Sequence, residues 1–146
     1  MSKHQETRLS VGLRHSASLR VESRHSVPEV DTSWPGFKDM PSVLATAMMV
    51  AFIEETCIMG LRPHLASGQG TVGTHIDVSH VAATPVGMNI TAEVELIGVE
   101  GKSLLFRVSC RDEAGLIGEG THRRAIIGVE RFNQRVEEKL KQVSAA

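Results

Sequence analysis

The 146-residue chain has no tyrosine, a single tryptophan and only four phenylalanines. Single-strand nucleic-acid binders stack bases on such rings, so this scarcity removes most of the platforms that role requires. There is no excess of one charge either, since sixteen Lys and Arg against seventeen Asp and Glu give a formal net charge of -1. No global field draws the chain to nucleic acid. Cysteine is equally sparse: Cys57 and Cys110 have no metal-ligand spacing and read as small buried hydrophobes in a reduced cytoplasmic setting. Met1 to Arg8 is polar and lacks the apolar core of a secretion signal. The long apolar run from Pro41 to Met59 carries Glu54 and Glu55, so membrane insertion is not expected. His4, His15, His25, His64 and His122 form no metal-binding pattern, and no metal is implied.

What is present suits one ordinary domain over residues 1–146, with 41% hydrophobic content to build a core. Leu13 to Val21 has the features of a strand, and Glu22 to Asp39, broken by Pro28, Pro35 and Gly36, reads as a loop. The segment 22–41 is expected to act as a lid. Pro41 to Met59 is expected to be helical, with Ser42 as N-cap and Gly60 and Pro63 closing it. Its apolar residues surround the axis, which predicts a central buried helix. Strands are expected at Thr71–Val81, Met88–Val99, Ser103–Arg111 and Leu116–Val129, with Gly-containing turns at Glu100-Gly101 and Glu113-Ala-Gly115 favouring hairpins. Glu130 to Gln142 is helix-friendly and mixed in charge, so 130–146 reads as a solvated terminal helix and tail. The sum is an α+β hotdog fold, an antiparallel sheet wrapped around a long central helix. Such a sheet leaves an edge strand open, and a second copy is the natural cover, so a homodimer is expected.

Alternation along Val72, Thr74, Ile76, Val78 and His80 puts these residues on the helix side and Gly73, His75, Asp77 and Ser79 on the other. His80 then points inward at a strand end, either as a proton-transfer group near neutral pH or as a core histidine satisfied by a carbonyl. On the helix, Thr46, Val50, Ile53 and Cys57 share a face, with Glu54 at its edge and Glu55 nearly opposite. A carboxylate on a buried helix is costly unless it is paired or used. Glu54 is therefore either partnered by a cation such as Arg124 or poised as base or nucleophile. Thr46 and Glu54 lie about 12 Å apart along the axis at eight residues' separation. If both serve one reaction, the substrate spans them or two subunits build the site. Thr46, near the helix start, can help hold an oxyanion or simply bond back to the preceding turn. Gly73 in a β-branched strand marks a close backbone approach or a bulge. Gly118-Glu-Gly120-Thr-His-Arg-Arg124 lacks a full phosphate-loop pattern. Arg123 falls on the solvent side of its strand.

Five passages carry a resemblance: Met48-Met-Val50 with Glu54 and Cys57; Gly73-Thr-His-Ile-Asp-Val-Ser-His80-Val-Ala-Ala-Thr-Pro85; Val99-Glu-Gly101; Gly120-Thr-His-Arg-Arg124-Ala; and Glu130-Arg-Phe-Asn133. Through them the chain resembles the fluoroacetyl-CoA thioesterase family of hotdog-fold enzymes over nearly its whole length. The resemblance implies hydrolysis of a short acyl-CoA thioester by a dimer, with a catalytic trio of Thr46, Glu54 and His80 and substrate contacts at Gly73 and Arg124. It implies no cofactor beyond the coenzyme A of the substrate, and acyl-CoA as the partner rather than a membrane or nucleic acid. The member that gives the family its name closes its acyl pocket with two lid phenylalanines. Here the first matches Phe37 and the second is Met40, a softer side chain, so the expected substrate is a short or small-substituent acyl-CoA. A hotdog hydratase or dehydratase and a non-catalytic acyl-CoA-binding module are the competing expectations.

Overall fold

The computed structural model describes residues 9–144; His4 and the rest of the polar stretch 1–8 lie outside them, as do the last two residues of the tail. Alternating apolar residues in the C-terminal half build three long strands, β3 (Asn89–Glu100), β4 (Ser103–Asp112) and β5 (Gly115–Gly128). Ile90, Ala92, Val94 and Leu96 of β3 bury on one face beside Leu104, Phe106, Val108 and Cys110 of β4, while Glu93 and Arg107 stay exposed. This period of two gives the sheet its core face, as the alternation required. Gly101 turns the first hairpin at φ 62°, a left-handed conformation that a residue without Cβ adopts freely.

Strand β1 (Arg14–Arg20) joins the sheet beside β3, and β2 (Gln69–Val78) joins at the far edge beside β5. The order is β1-β3-β4-β5-β2, and every pair is antiparallel. The hairpins between the last three strands are those the turns predicted. Strand β2 pairs with β5 rather than with β3, its successor in the chain. It ends at Val78, short of the expected Val81.

Helix α3 (Thr46–Leu61) crosses the core face with Met49, Ile53, Cys57 and Leu61, spaced four residues apart, against the sheet. Burying each such side chain contributes about 1.5–3 kcal/mol. Thr56, also buried, satisfies its hydroxyl by donating to the Phe52 carbonyl at 2.8 Å. The expected all-round burial does not hold within one chain, because Ala47, Ala51, Glu55 and Met59 form an exposed stripe. Their side of the helix lies away from the sheet.

Ser42 is not the N-cap. The segment before α3 is extended: Val43 bridges Pro85, Leu44 bridges Ser26, and the amides of Leu44 and Ala45 donate to the carbonyls of Thr84 and His25. With these amides bonded sideways, the helix starts at Thr46 behind Ala45, which offers no side-chain cap. Segment 22–41, expected as a lid, is more ordered than a loop. It holds a 3-10 turn (Ser23–His25) and two one-turn helices, α1 (Val27–Val30) and α2 (Pro35–Lys38), with Trp34 edge-on to Phe37 at 5.2 Å between ring centroids. Helix α4 (Val129–Ser144) closes the described chain with no buried residue, as a solvated terminal helix should. Among the described residues, no helix is long and apolar enough to cross a membrane.

Gly60 sits where α3 meets β1, and a Cβ placed on it would lie 2.8 Å from the Cβ of His15. That neighbouring atom is fixed by the strand backbone, so Gly60→Ala should destabilise the protein by about 1–3 kcal/mol through overpacking. Urea unfolding reads this as a lower midpoint at unchanged slope, and an unaltered midpoint would contradict the packing described.

Candidate active site

Two groups of polar side chains face the seam between α3 and the strands. The first lies at the helix start. Thr46 is the first helical residue, so its own amide and that of Ala47 have no intrahelical acceptor. Its Oγ1 lies 2.7 Å from Nδ1 of His80, in the segment just past β2. The two neutral tautomers of the ring reverse the direction of this bond and leave Nε2 as either a bare base or an N–H donor. Nε2 is buried and has no hydrogen-bond partner among the described residues. Burial lowers the His80 pKa from its ordinary value, with the main chain at Ala82 offsetting part of the effect. A neutral imidazole with one unengaged nitrogen can take or give a proton.

The loop carrying His80 is tied down on both sides. The amides of Ser79 and Val81 donate to the carbonyls of Glu119 and Ile117 on β5, and buried Thr84 donates its hydroxyl to Asp112 Oδ2 at 2.8 Å. The open space at Gly118 admits this approach, because a side chain there would collide with the Ser79 carbonyl.

The second group lies two turns further along α3. Arg124 of β5, 3% exposed, donates from Nη1 to Glu54 Oε1 at 2.9 Å. Its Nε and Nη2 donate to Oγ1 and the carbonyl of Thr71 on β2, at 2.8 and 3.0 Å. A buried cation is tolerated when paired and hydrogen-bonded in this way. The Glu54 side chain is 37% exposed, and its second oxygen has no partner among the described residues. His122, two residues before Arg124 and on the same face of β5, accepts from Arg124 Nη1 at 3.1 Å and lies 3.9 Å from Glu54 Oε1. Cys57, one turn beyond Glu54, has its thiol pushed up to about 12, mainly by burial, so it is no nucleophile at neutral pH.

Gly73 belongs to this second group. A Cβ there would stand 2.8 Å from Glu54 Oε1 and 3.2 Å from the His122 ring. The expected facing is thus reversed in the first half of β2: Thr71 and Gly73 look toward the helix, while Val72 pairs with Ala125 on the other phase. The register slips between Gly73 and His75, which inserts one residue and flips the alternation, so Ile76 and Val78 return to the expected side. His75, Asp77 and Arg123 are exposed, as expected.

Of the residues singled out in the sequence, Thr46 and His80 meet, and Glu54 meets Arg124 and Gly73. Within one chain Glu54 bonds neither Thr46 nor His80, in keeping with their spacing along the helix. Phe37 is half-buried on α2 and Met40, just past it, is exposed. His122 escaped the sequence reading as a member of this group. Its signal was the period of two: once Arg124 is placed facing Glu54, the residue two before it on the strand faces the same way. Among the described residues, no three His, Cys, Asp or Glu side chains converge as a metal site would require.

A five-stranded antiparallel sheet across one long helix, with these polar groups at the seam, is a hotdog fold. A solved hot-dog-like protein from Thermanaerovibrio acidaminovorans has the same fold at 20% identity and TM-score 0.77, over 90% of this chain and 93% of that one. The model of the family described as fluoroacetyl-CoA-specific thioesterase matches residues 27–130. The fluoroacetyl-CoA thioesterase of Streptantibioticus cattleyicolor is 40% identical over 131 residues, 90% of this chain and 94% of that protein. The structure of the fluoroacetyl-CoA thioesterase FlK superposes with TM-score 0.88 at 40% identity, covering 90% of this chain and 97% of that one. A variant of FlK in complex with acetyl-CoA, also 40% identical, gives TM-score 0.88 over 90% and 98% of the two chains. The class is that of acyl-CoA thioesterases, and this chain belongs to the fluoroacetyl-CoA-specific thioesterase family.

Burial also lowers the pKa of His122 from its ordinary 6.5, with the His75 carbonyl opposing and Arg124 adding to the fall. In the unfolded chain both imidazoles take up a proton near 6.5, but in the folded protein only at lower pH. Between those values the unfolded state binds more protons, so stability falls as pH drops below about 6.5. Urea midpoints measured from pH 7.5 to 5 should decline accordingly, and His122→Asn should flatten the decline. A slope unchanged by the substitution would mean that His122 is not held neutral.

Proposed function

We propose that the protein hydrolyses a short or small-substituent acyl-CoA to the free acid and CoA, using Thr46, Glu54 and His80 at a site completed by a second copy of the chain. The observation that carries this reading is the Thr46–His80 hydrogen bond at the start of α3, which leaves a buried, unengaged imidazole nitrogen beside free helix N–H groups. In hydrolysis, the thioester carbonyl oxygen gains charge as the acyl carbon is attacked. The Thr46 hydroxyl and the first amides of α3 are placed to stabilise it. His80 Nε2 carries a proton between the attacking and leaving groups, so that CoA departs as the thiol. Glu54, its Oε1 fixed by Arg124, directs Oε2 either at the acyl carbon or at a water molecule.

Two features support a two-chain site. Strand β2 is an open edge over its exposed residues Gly73 to Asp77, and α3 leaves its Ala47, Ala51, Glu55 and Met59 stripe uncovered. A second copy covering both would bring Glu54 of one chain toward Thr46 and His80 of the other. The expected assembly is a homodimer, and sedimentation should give twice 15.8 kDa or a multiple of that. Gly73 and Arg124 contact the substrate next to Glu54, and Phe37 with Met40 bounds the acyl group. Two free, buried cysteines suit a reducing cytoplasm.

Release of CoA thiol from acetyl-, fluoroacetyl-, propionyl-, butyryl- and phenylacetyl-CoA tests the reading. Glu54→Gln and His80→Ala should each lower kcat by at least about a hundredfold with the fold retained, the usual scale for removing a group that handles protons. Near-normal rates in both variants would overturn the trio. Met40→Phe should narrow the acyl preference more than it alters the maximal rate, and an unchanged substrate profile would remove the lid from the pocket.

A further inference from the structure

His122 has neither a surface role nor a place in the trio, and both of its ring nitrogens are spoken for. The side chain is 2% exposed. Nδ1 lies 2.7 Å from the backbone carbonyl of His75, which can only accept, so Nδ1 carries the proton. Nε2 faces Arg124 Nη1 at 3.1 Å, and a guanidinium can only donate, so Nε2 is bare. The two partners together select one neutral tautomer.

The same Nη1 has just two hydrogens. One goes to His122 Nε2 and the other to Glu54 Oε1, so neither bond can shift without disturbing its companion. At the other end of the imidazole, His75 is the residue at which the β2 register resumes after its slip, and that slip is what presents Gly73 to Glu54. An unbroken hydrogen-bonded path therefore runs from the β2 bulge through His122 and Arg124 to the Glu54 carboxylate.

We propose that His122 is a positioning residue for Glu54: Thr71 holds the Nε and Nη2 side of the Arg124 guanidinium, and His122, as an acceptor at Nε2, holds the Nη1 end that aims the carboxylate. This rests on Glu54 acting in hydrolysis. The groups facing the ring are Arg124 on its own strand, Glu54 on α3 and His75 on β2, while Phe106, opposite on β4, is apolar. Protonation would turn Nε2 from an acceptor into a donor, abolish the Arg124 bond and set a second cation 3.9 Å from Glu54 Oε1 in competition with the first.

Side-chain length separates the two halves of the path. Gln places a carbonyl oxygen where Nε2 stood and can accept from Arg124. Asn places an amide N–H where Nδ1 stood and can donate only to the His75 carbonyl. The test measures kcat and KM of His122→Gln, His122→Asn and His122→Leu with the best acyl-CoA, next to Glu54→Gln, and follows thermal unfolding of each. Expected is a kcat loss of roughly tenfold or more in Asn and Leu with KM within about threefold, and recovery of most of kcat in Gln, because small misplacement of a reacting group is costly. Equal kcat in the Gln and Asn variants, or losses that follow thermal stability alone, would overturn the proposal even if Leu fails to fold. Full activity in Glu54→Gln would instead overturn the assignment of Glu54, and with it the need for a positioning residue, so the two failures are distinct.

Discussion

A guanidinium shut away from water keeps its charge only where a counter-ion and hydrogen-bond acceptors meet it, and the seam between α3 and the sheet is organised around Arg124. Its bonds reach three elements: Glu54 on α3, Thr71 on β2 and His122 on its own strand. Without Glu54 the buried Arg124 guanidinium would lack its counter-ion, an unfavourable state. The constraint works in both directions. It fixes the rotation of α3 about its axis, because Glu54 must face β5, and it fixes the register of β2 against β5, because Thr71 must lie alongside. Gly73 is the geometric corollary, a residue with no side chain where the carboxylate needs the space.

The Thr46–His80 pair obeys a different constraint. No buried charge is involved; what sets it is the backbone pairing of Val43, Leu44 and Ala45, which delays the start of α3 until Thr46. Had Ser42 capped the helix, Thr46 would lie a full turn inside it with its amide consumed by an intrahelical bond. The delayed start leaves the threonine beside unengaged N–H groups, which is the property that hydrolytic chemistry can exploit.

Much of this was legible in the sequence because it follows from short-range patterns. The β3, β4 and β5 strands announce themselves by alternation with Gly-containing turns, and of the two readings open for Glu54, a cation partner or a reactive role, the Arg124 bond realises the first. The β2 strand was harder. Its β-branched residues alternate correctly on paper, but one inserted residue after Gly73 reverses their facing, and nothing in a β-branched string marks where the count must restart. Gly73 was open to reading as either a bulge or a close approach, and it is both. The burial of α3 falls short of the sequence expectation for a related reason: apolar composition on all sides says that every face seeks cover, without saying whether the cover comes from the same chain.

The extended strap from Val43 to Ala45 carries a mechanical consequence. On one margin it accepts from the Val27 amide and donates to the His25 carbonyl, and on the other it bonds Thr84 and bridges Pro85, beyond His80. Segment 22–41 and the histidine loop thus share a single stitched seam that runs straight into the first turn of α3. The base of segment 22–41 is clamped at that seam, so the same backbone bonds that tether it also anchor the elements carrying Thr46 and His80.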